Sequence, residues 1–501
     1  MPGLFKNKIF TDTLLLLILA ELMSFLGYYY SIVNTAIFFL IAIAAVIISL
    51  YRLEYGFYIL FAELFIGSFG YLFYFDLGQT KISLRLALWL AIMSVWLAKV
   101  ITDWLKNKKN PATPLPLRRL MNFVLLFIIL AWGVINGFLN NNLSNNIFFD
   151  FNSWLYFLLI FPLYWLLRNS QELKIIKTIF LASIAWLSLK TIILVYFFTH
   201  NLNGLNLEIY GWMRLDQLGE ITQTTIGFSR IFMQSHIFVL IGFFILLFYL
   251  LKALLSKAGE RADIIKYLAI LILLLSTILI SFSRSFWIGL AAGGIFVWLI
   301  IIFKLKIKLK EFIIFNSLIL LSVILSLSLT QAIVKFPYPS TYGAFDPGAV
   351  LSQRITETNE AGASSRWQLL PPLWQKIKTA PILGRGFGAT VTYKTSDPRV
   401  LESNPSGLYT TYAFEWGWLD IWLKLGIIGL IIYLALFAKT IYDGLKINSY
   451  FSLALITGLV VLMAVNIFSP YVNHPLGIGY LIIAAYFINS LKNIQIKSPA
   501  K

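Results

Sequence analysis

The chain is 501 residues long, 59% apolar and 12% charged, with a mean hydropathy of +0.81. An ordinary soluble domain is about 45–50% apolar and about 25% charged, so a water-soluble enzyme, a disordered chain and a nucleic-acid binder are excluded. Forty Lys and Arg against twenty-two Asp and Glu give +18, an excess that in a membrane protein gathers in cytoplasmic loops and implies no nucleic-acid partner. Cysteine is absent and there are three histidines. Disulfides and thiol chemistry are ruled out, and little material remains for a metal site.

A helix needs about 20 mostly apolar residues to cross the hydrocarbon core. Such runs occur at 12–30, 32–50, 56–75, 84–101, 120–139, 153–167, 176–198, 231–251, 267–281, 286–303, 312–334, 416–438, 451–468 and 476–490. They predict an all-α polytopic membrane protein with about 14 transmembrane helices. The first run has a basic start, but Glu21 and Tyr28–Tyr30 stand where a cleavage site needs small residues, so it reads as a retained span. The expected organisation is a bundle of about eleven spans over 1–334, an extracytoplasmic lid loop with short helices over 335–413, and about three spans with a cytoplasmic tail over 414–501.

With the N-terminus inside, the inner loops hold 25 basic residues, from Lys6 to Lys501. The short outer loops hold five: Lys81, Arg85, Arg214, Arg230 and Arg284. That imbalance predicts both termini in the cytoplasm. The run Lys304–Lys310 (KLKIKLK) reads as an orientation anchor, with a lipid-headgroup site as the other reading.

The 335–413 connection carries Lys335, Arg354, Arg366, Lys376, Lys378, Arg385, Lys394 and Arg399. Within it, Trp367, Leu370, Leu373, Trp374 and Ile377 fall near helical spacing. Pro371 and Pro372 interrupt that pattern and predict two short helical pieces, lying on the membrane through the tryptophans. A second outer loop, 199–230, holds Arg214, Asp216, Glu220 and Arg230, and two tight outer turns add Arg284 and Asn473–His474. Interfacial snorkelling accounts for any one outer arginine. Several at one face point to an anionic, phosphorylated ligand, because guanidinium grips phosphate oxygens bidentately and stays charged. Glu21, Glu63, Lys190 and Lys424 stand inside spans, where ionisable groups are costly and often functional. Lys424 lies nine residues after Glu415, about two and a half turns on, so the two face different ways.

The pieces GFSRIF (227–232), SFSRSFWIGLAAGG (281–294), SSRWQLL (364–370), APILGRGFG (380–388), LKLGIIGLIIYL (423–434) and PYVNHPLGIGY (471–481) resemble the O-antigen ligase and polymerase family of polytopic membrane proteins. The resemblance covers roughly 227–490, with a looser echo at ISLRLALWL (82–90). It implies a membrane-embedded glycosyltransferase-like bundle in the cytoplasmic (inner) membrane. It also implies a reaction that takes a glycan from an undecaprenyl-diphosphate carrier at the outer face and passes it to an acceptor hydroxyl on a glycan, lipid or protein. No cofactor is implied, and in the ligases no metal. The implied partners are the lipid-linked glycan donor, a glycan or lipid acceptor, membrane lipids and other polysaccharide-assembly proteins.

Such a transfer needs fixed cations at the departing diphosphate. Arg230, Arg284, Arg366 and Arg385 are the candidates, with Arg214 in reserve and Arg85 behind it. Many members place His-Asn eleven residues before the LGIIGL glycine, and here that position is Glu415, in YAFEWGW. A carboxylate between Phe414 and Trp416 can accept the hydroxyl proton in its place; its plainer role is to serve the N-terminus of the following helix. His474 is the alternative base, or a capping residue, whereas His200 and His236 look bland. GRGFGA (384–389) lacks dinucleotide or P-loop spacing and reads as a tight turn carrying Arg385. The competing function is a membrane transporter of an anion such as bicarbonate, which calls for an internal repeat and broken helices near the midplane. No repeat is visible. A scaffold without chemistry leaves the outer arginines unexplained.

Overall fold

The computed structural model describes residues 7–78, 80–106, 117–166, 170–200, 202, 204–224, 227–256, 262–349, 352 and 361–497. Lys6, Lys108, Lys109, Arg168, Lys257, Arg261, Arg354 and Lys501 lie outside these residues, as do the side chains of Arg118, Arg119, Arg399 and Lys497. In chain order the elements begin α1 (Lys8–Tyr29), α2 (Ser31–Tyr51), α3 (Leu53–Ile66), β1 (Tyr74–Leu77), β2 (Thr80–Ser83), α4 (Leu84–Lys106), α5 (Leu117–Leu139), α6 (Ser144–Asn152), α7 (Ile160–Leu166) and α8 (Ser170–Thr199). They continue α9 (Leu205–Leu215), β3 (Glu220–Gln223), β4 (Ser229–Phe232), α10 (His236–Leu255), α11 (Ala262–Ser281), α12 (Arg284–Leu299) and α13 (Leu309–Val334). The remainder is α14 (Ala361–Lys378), β5 (Val391–Lys394), α15 (Pro398–Ser403), β6 (Leu408–Thr411), α16 (Gly417–Leu445), α17 (Tyr450–Val465) and α18 (Pro475–Lys497). The strands form three separate antiparallel hairpins.

Among the described residues eleven helices are long and apolar enough to cross a membrane. The other three expected runs fall on shorter helices: Phe123–Leu139 within α5, α17, and the 14-residue α3. The apolar run at 56–75 stops being helical early because Gly67, Ser68 (φ 45°) and Gly70 (φ 95°) turn the chain into β1.

The chain divides into two compact units: 1–113, 161–350 and 449–458 form one, and 114–160, 351–448 and 459–501 the other. In the first, α8 packs against α1, α3, α10, α11 and α13. Nearly every position of α10 is buried, as expected for a helix apolar all round. Leu16, Leu22, Ile32, Leu40 and Ile47 on α1 and α2 stay uncovered, which suits hydrocarbon.

In the second unit the core gathers Leu369, Leu373 and Ile377 of α14 with Val391, Tyr393, Phe414, Trp416 and Leu423. The three α14 residues recur every four positions and make one stripe. That stripe is why α14 runs unbroken through Pro371 and Pro372, against the expected two pieces. Each proline removes one ladder bond, and the buried stripe holds the helix together. Trp367 and Trp374 are exposed but lean edge-to-face on Trp416 and Trp422, so their rings also brace the start of α16.

Candidate functional site

In the second unit, the loop 380–388 joins α14 to β5 through APILGRGFG. Gly384, Gly386 and Gly388 all have φ near +75°. Gly386 shows why: a Cβ there would sit 2.0 Å from Gly137 N, on the backbone of α5. The loop threads against that helix. Phe387 N–H donates to Gly133 O at 2.9 Å, and Asn136 Nδ2 donates to the carbonyls of Leu383 and Gly384. Asn142 Nδ2 donates to those of Arg385 and Phe387, and Gly388 N–H reaches Asp150 Oδ2 at 2.9 Å.

On its other side the loop fills a break in α16. Gly426 (φ 71°, ψ −179°) interrupts that helix. The freed carbonyls of Leu423 and Lys424 accept N–H bonds from Arg385 (2.7 Å) and Gly386 (3.0 Å), and Ile427 N–H donates to Pro381 O at 2.9 Å. Backbone at membrane depth must find partners inside the protein, and the loop supplies them. The spacing of GRGFG and of LGIIG therefore has one cause, and the expected tight turn carrying Arg385 is also a backbone splice. Arg385 is fixed by its own contacts: Nε donates to Thr379 Oγ1 at 3.0 Å and one terminal nitrogen to Asn140 Oδ1 at 3.1 Å.

Glu415 lies two residues before α16, between the buried Phe414 and Trp416, with its carboxylate about half exposed. It forms an ion pair with Arg366 on α14, whose backbone carbonyl accepts the Trp416 indole N–H. Lys424 turns away from Glu415, as its spacing predicts, and bridges two buried carboxylates, Asp150 at 2.6 Å and Asp420 at 2.5 Å. Asp420 also accepts from Asn473 Nδ2. Sequence reasoning missed Asp150 and Asp420; the i,i+4 spacing of Asp420 and Lys424 was the available signal. His474 Nδ1 accepts the Leu476 N–H at 3.3 Å and so caps α18. With Nδ1 accepting, a neutral ring carries its proton on Nε2. On β5, the Tyr393 hydroxyl bonds to Ser365, and burial raises its pKa.

In the first unit, β4 carries Arg230, whose Nε donates to Ser281 O at 2.6 Å while its guanidinium lies over the Phe232 ring. Arg284 opens α12 three residues after Ser281, so the turn 281–284 is held by Arg230 at one end and carries Arg284 at the other. Arg214, in the last turn of α9, is exposed over Tyr210. Asp216 follows it, buried, and that burial pushes its carboxyl up to about 6 against the opposing pull of Lys81 and Tyr74. Two sets of buried charges are paired: Arg85 forks onto both Glu63 oxygens at 2.9 and 3.0 Å and donates to Ser68 O, and Lys190 meets Glu21 at 2.5 Å. Arg85 is thereby committed to Glu63. His236 Nδ1 accepts from Met233 N–H and Nε2 meets Thr191, while His200 lies between the carbonyls of Tyr196 and Phe336.

The described helices make this an all-α polytopic membrane protein. Residues 269–434 match the family model described as O-antigen ligase, a segment similar to that of proteins that ligate or polymerise glycans. The matched segment contains Arg284, Arg366, Arg385, Glu415 and Lys424. No curated protein and no solved structure matches the chain.

Proposed function

We propose that the protein transfers or polymerises a glycan carried on undecaprenyl diphosphate, delivering it to an acceptor hydroxyl at the outer face of the cytoplasmic membrane, with both termini inside. The chain's own cations do the electrostatic work, without metal or cofactor. The Arg366–Glu415 pair carries this reading: a half-exposed carboxylate held by an arginine at the mouth of α16. The donor diphosphate competes for Arg366 and draws it off Glu415. The released carboxylate accepts the proton of the attacking hydroxyl as the anomeric carbon–oxygen bond to the diphosphate breaks. Arg366 and Arg385 receive the charge that develops on the leaving group. Arg230, Arg284 and Arg214, all in the first unit, stay candidate phosphate contacts in their own right. His474 is the weaker base, because its Nδ1 lone pair is occupied in the cap.

Anion transport is the second reading, and the discontinuous α16 is the feature that favours it. Against it, the amide and carbonyl groups freed around Gly426 are taken up by the loop 380–388, which leaves those groups no role in ion binding.

The test uses membranes carrying the protein and a polyprenyl-diphosphate-linked oligosaccharide. Arg366→Ala should slow transfer by about two to three orders of magnitude, the usual cost of one such contact. Glu415→Gln should lower turnover and leave donor binding intact. Full transfer by both variants would reject the assignment, and full transfer by Glu415→Gln alone would move the base to His474.

A further inference from the structure

We propose that Lys424 is a positioning residue, the hub that ties the 380–388 loop, and with it Arg385, to the 471–474 turn. Its consequence for transfer rests on the reading above; its structural content does not. Three observations meet at this one ammonium group.

The first is connectivity. Asp150 uses one oxygen for Lys424 and the other for Gly388 N–H, so α6 passes the lysine's hold directly to the end of the loop. Asp420 receives Lys424 and also Asn473, which extends the same hold to the turn before α18. Lys424 O accepts Gly386 N–H, so backbone and side chain of one residue grip the loop at two points, on either side of Phe387. The ammonium also sits 5.5 Å from the centre of the Phe414 ring, the neighbour of Glu415.

The second is burial. Lys424, Asp150 and Asp420 expose 3%, 9% and 4% of their side chains. Charges so deeply removed from water are retained only where they are mutually compensated, and here one cation serves two anions. Removing it leaves two carboxylates side by side with no counter-charge, and they separate or take up protons.

The third is the loop's own chemistry. Gly384, Gly386 and Gly388 give it little intrinsic preference for one conformation. Its shape comes from what grips it, and at the Gly388 end the grip is the Asp150–Lys424 pair.

Hydrogen-exchange mass spectrometry of the full-length protein in detergent reads the amides of Arg385–Gly388 directly and needs no substrate. In the wild type these amides should be protected, because Arg385, Gly386, Phe387 and Gly388 N–H all donate within the protein. Lys424→Met should speed their exchange by at least about tenfold and leave α10 unchanged, and Lys424→Arg should restore protection. Two further variants separate a hub from a general fold requirement. Asp150→Asn, which leaves a balanced Lys–Asp pair, should loosen 385–388 and spare 471–474. Asp420→Asn should do the reverse. Unchanged protection of 385–388 in both Lys424→Met and Asp150→Asn overturns the proposal, as does loss at both places in either carboxylate variant. If Lys424→Met does not accumulate, the carboxylate pair decides alone. Loosening that matches this pattern, with transfer unaffected, would uphold the hub and count against Arg385 as a diphosphate contact.

Discussion

The arginine–glutamate pair Arg85–Glu63 of the first unit and the pair Arg366–Glu415 of the second differ in exposure and in the bonds that hold them. Arg85–Glu63 is about 95% removed from solvent and doubly hydrogen-bonded, with a backbone carbonyl taking a third bond. Arg366–Glu415 leaves a third of the arginine and nearly half of the glutamate exposed. The chemistry is the same and the surroundings set its use. A buried pair cannot be opened without stranding a charge, so it fixes α4 against α3 permanently. An exposed pair is held weakly against water and can exchange one partner for a phosphate at little expense to the fold.

The largest effect should come from breaking the buried pair. Arg85→Ala strands Glu63 and should lower stability by about 3–5 kcal/mol, seen as a large drop in thermal midpoint or failure to accumulate; a midpoint near wild type would remove the contrast. Asp216 sharpens the comparison from between the two cases, because it is buried and only partly compensated. Its carboxyl titrates near 6 when folded, above the ordinary carboxylate value, so the folded state binds the extra proton. The penalty is therefore absent below about pH 4, grows as pH rises through about 6, and is complete above it. Asp216→Asn should stabilise the protein above pH 6 by roughly 2 kcal/mol and do nothing at pH 4, measured as melting midpoint against pH. The smallest effect on stability belongs to the exposed pair: Arg366→Ala should change it by less than about 1 kcal/mol while transfer collapses. A stability loss as large as that of Arg85→Ala would make Arg366 a structural residue.

The membrane architecture was largely legible in the sequence, because long apolar runs have few other fates. Orphan charges were legible as orphans: Glu63 and Lys190 stood out in their spans, yet Arg85 and Glu21, their partners, could not be matched to them by spacing. The site was less legible. Asp150 lies 274 residues before Lys424, in a polar stretch that reads as a loop end, and no local pattern joins the two. Pro371–Pro372 misled because a local rule about lost hydrogen bonds was outweighed by the stripe of Leu369, Leu373 and Ile377. Glu415 was found by its distance from Gly426, but its partner Arg366 needed the fold.

The break at Gly426 carries a consequence for how this protein varies. A Cβ at Gly426 would stand 2.0 Å from Ile382 O, and one at Gly384 would stand 2.5 Å from Gly426 N. The two glycine motifs, with Gly384 and Gly426 42 residues apart in the chain, behave as the halves of one dovetail. Grafting either half alone into a chimera would leave unmatched edges in the apolar layer, so recombination between such chains should succeed only where both halves travel together.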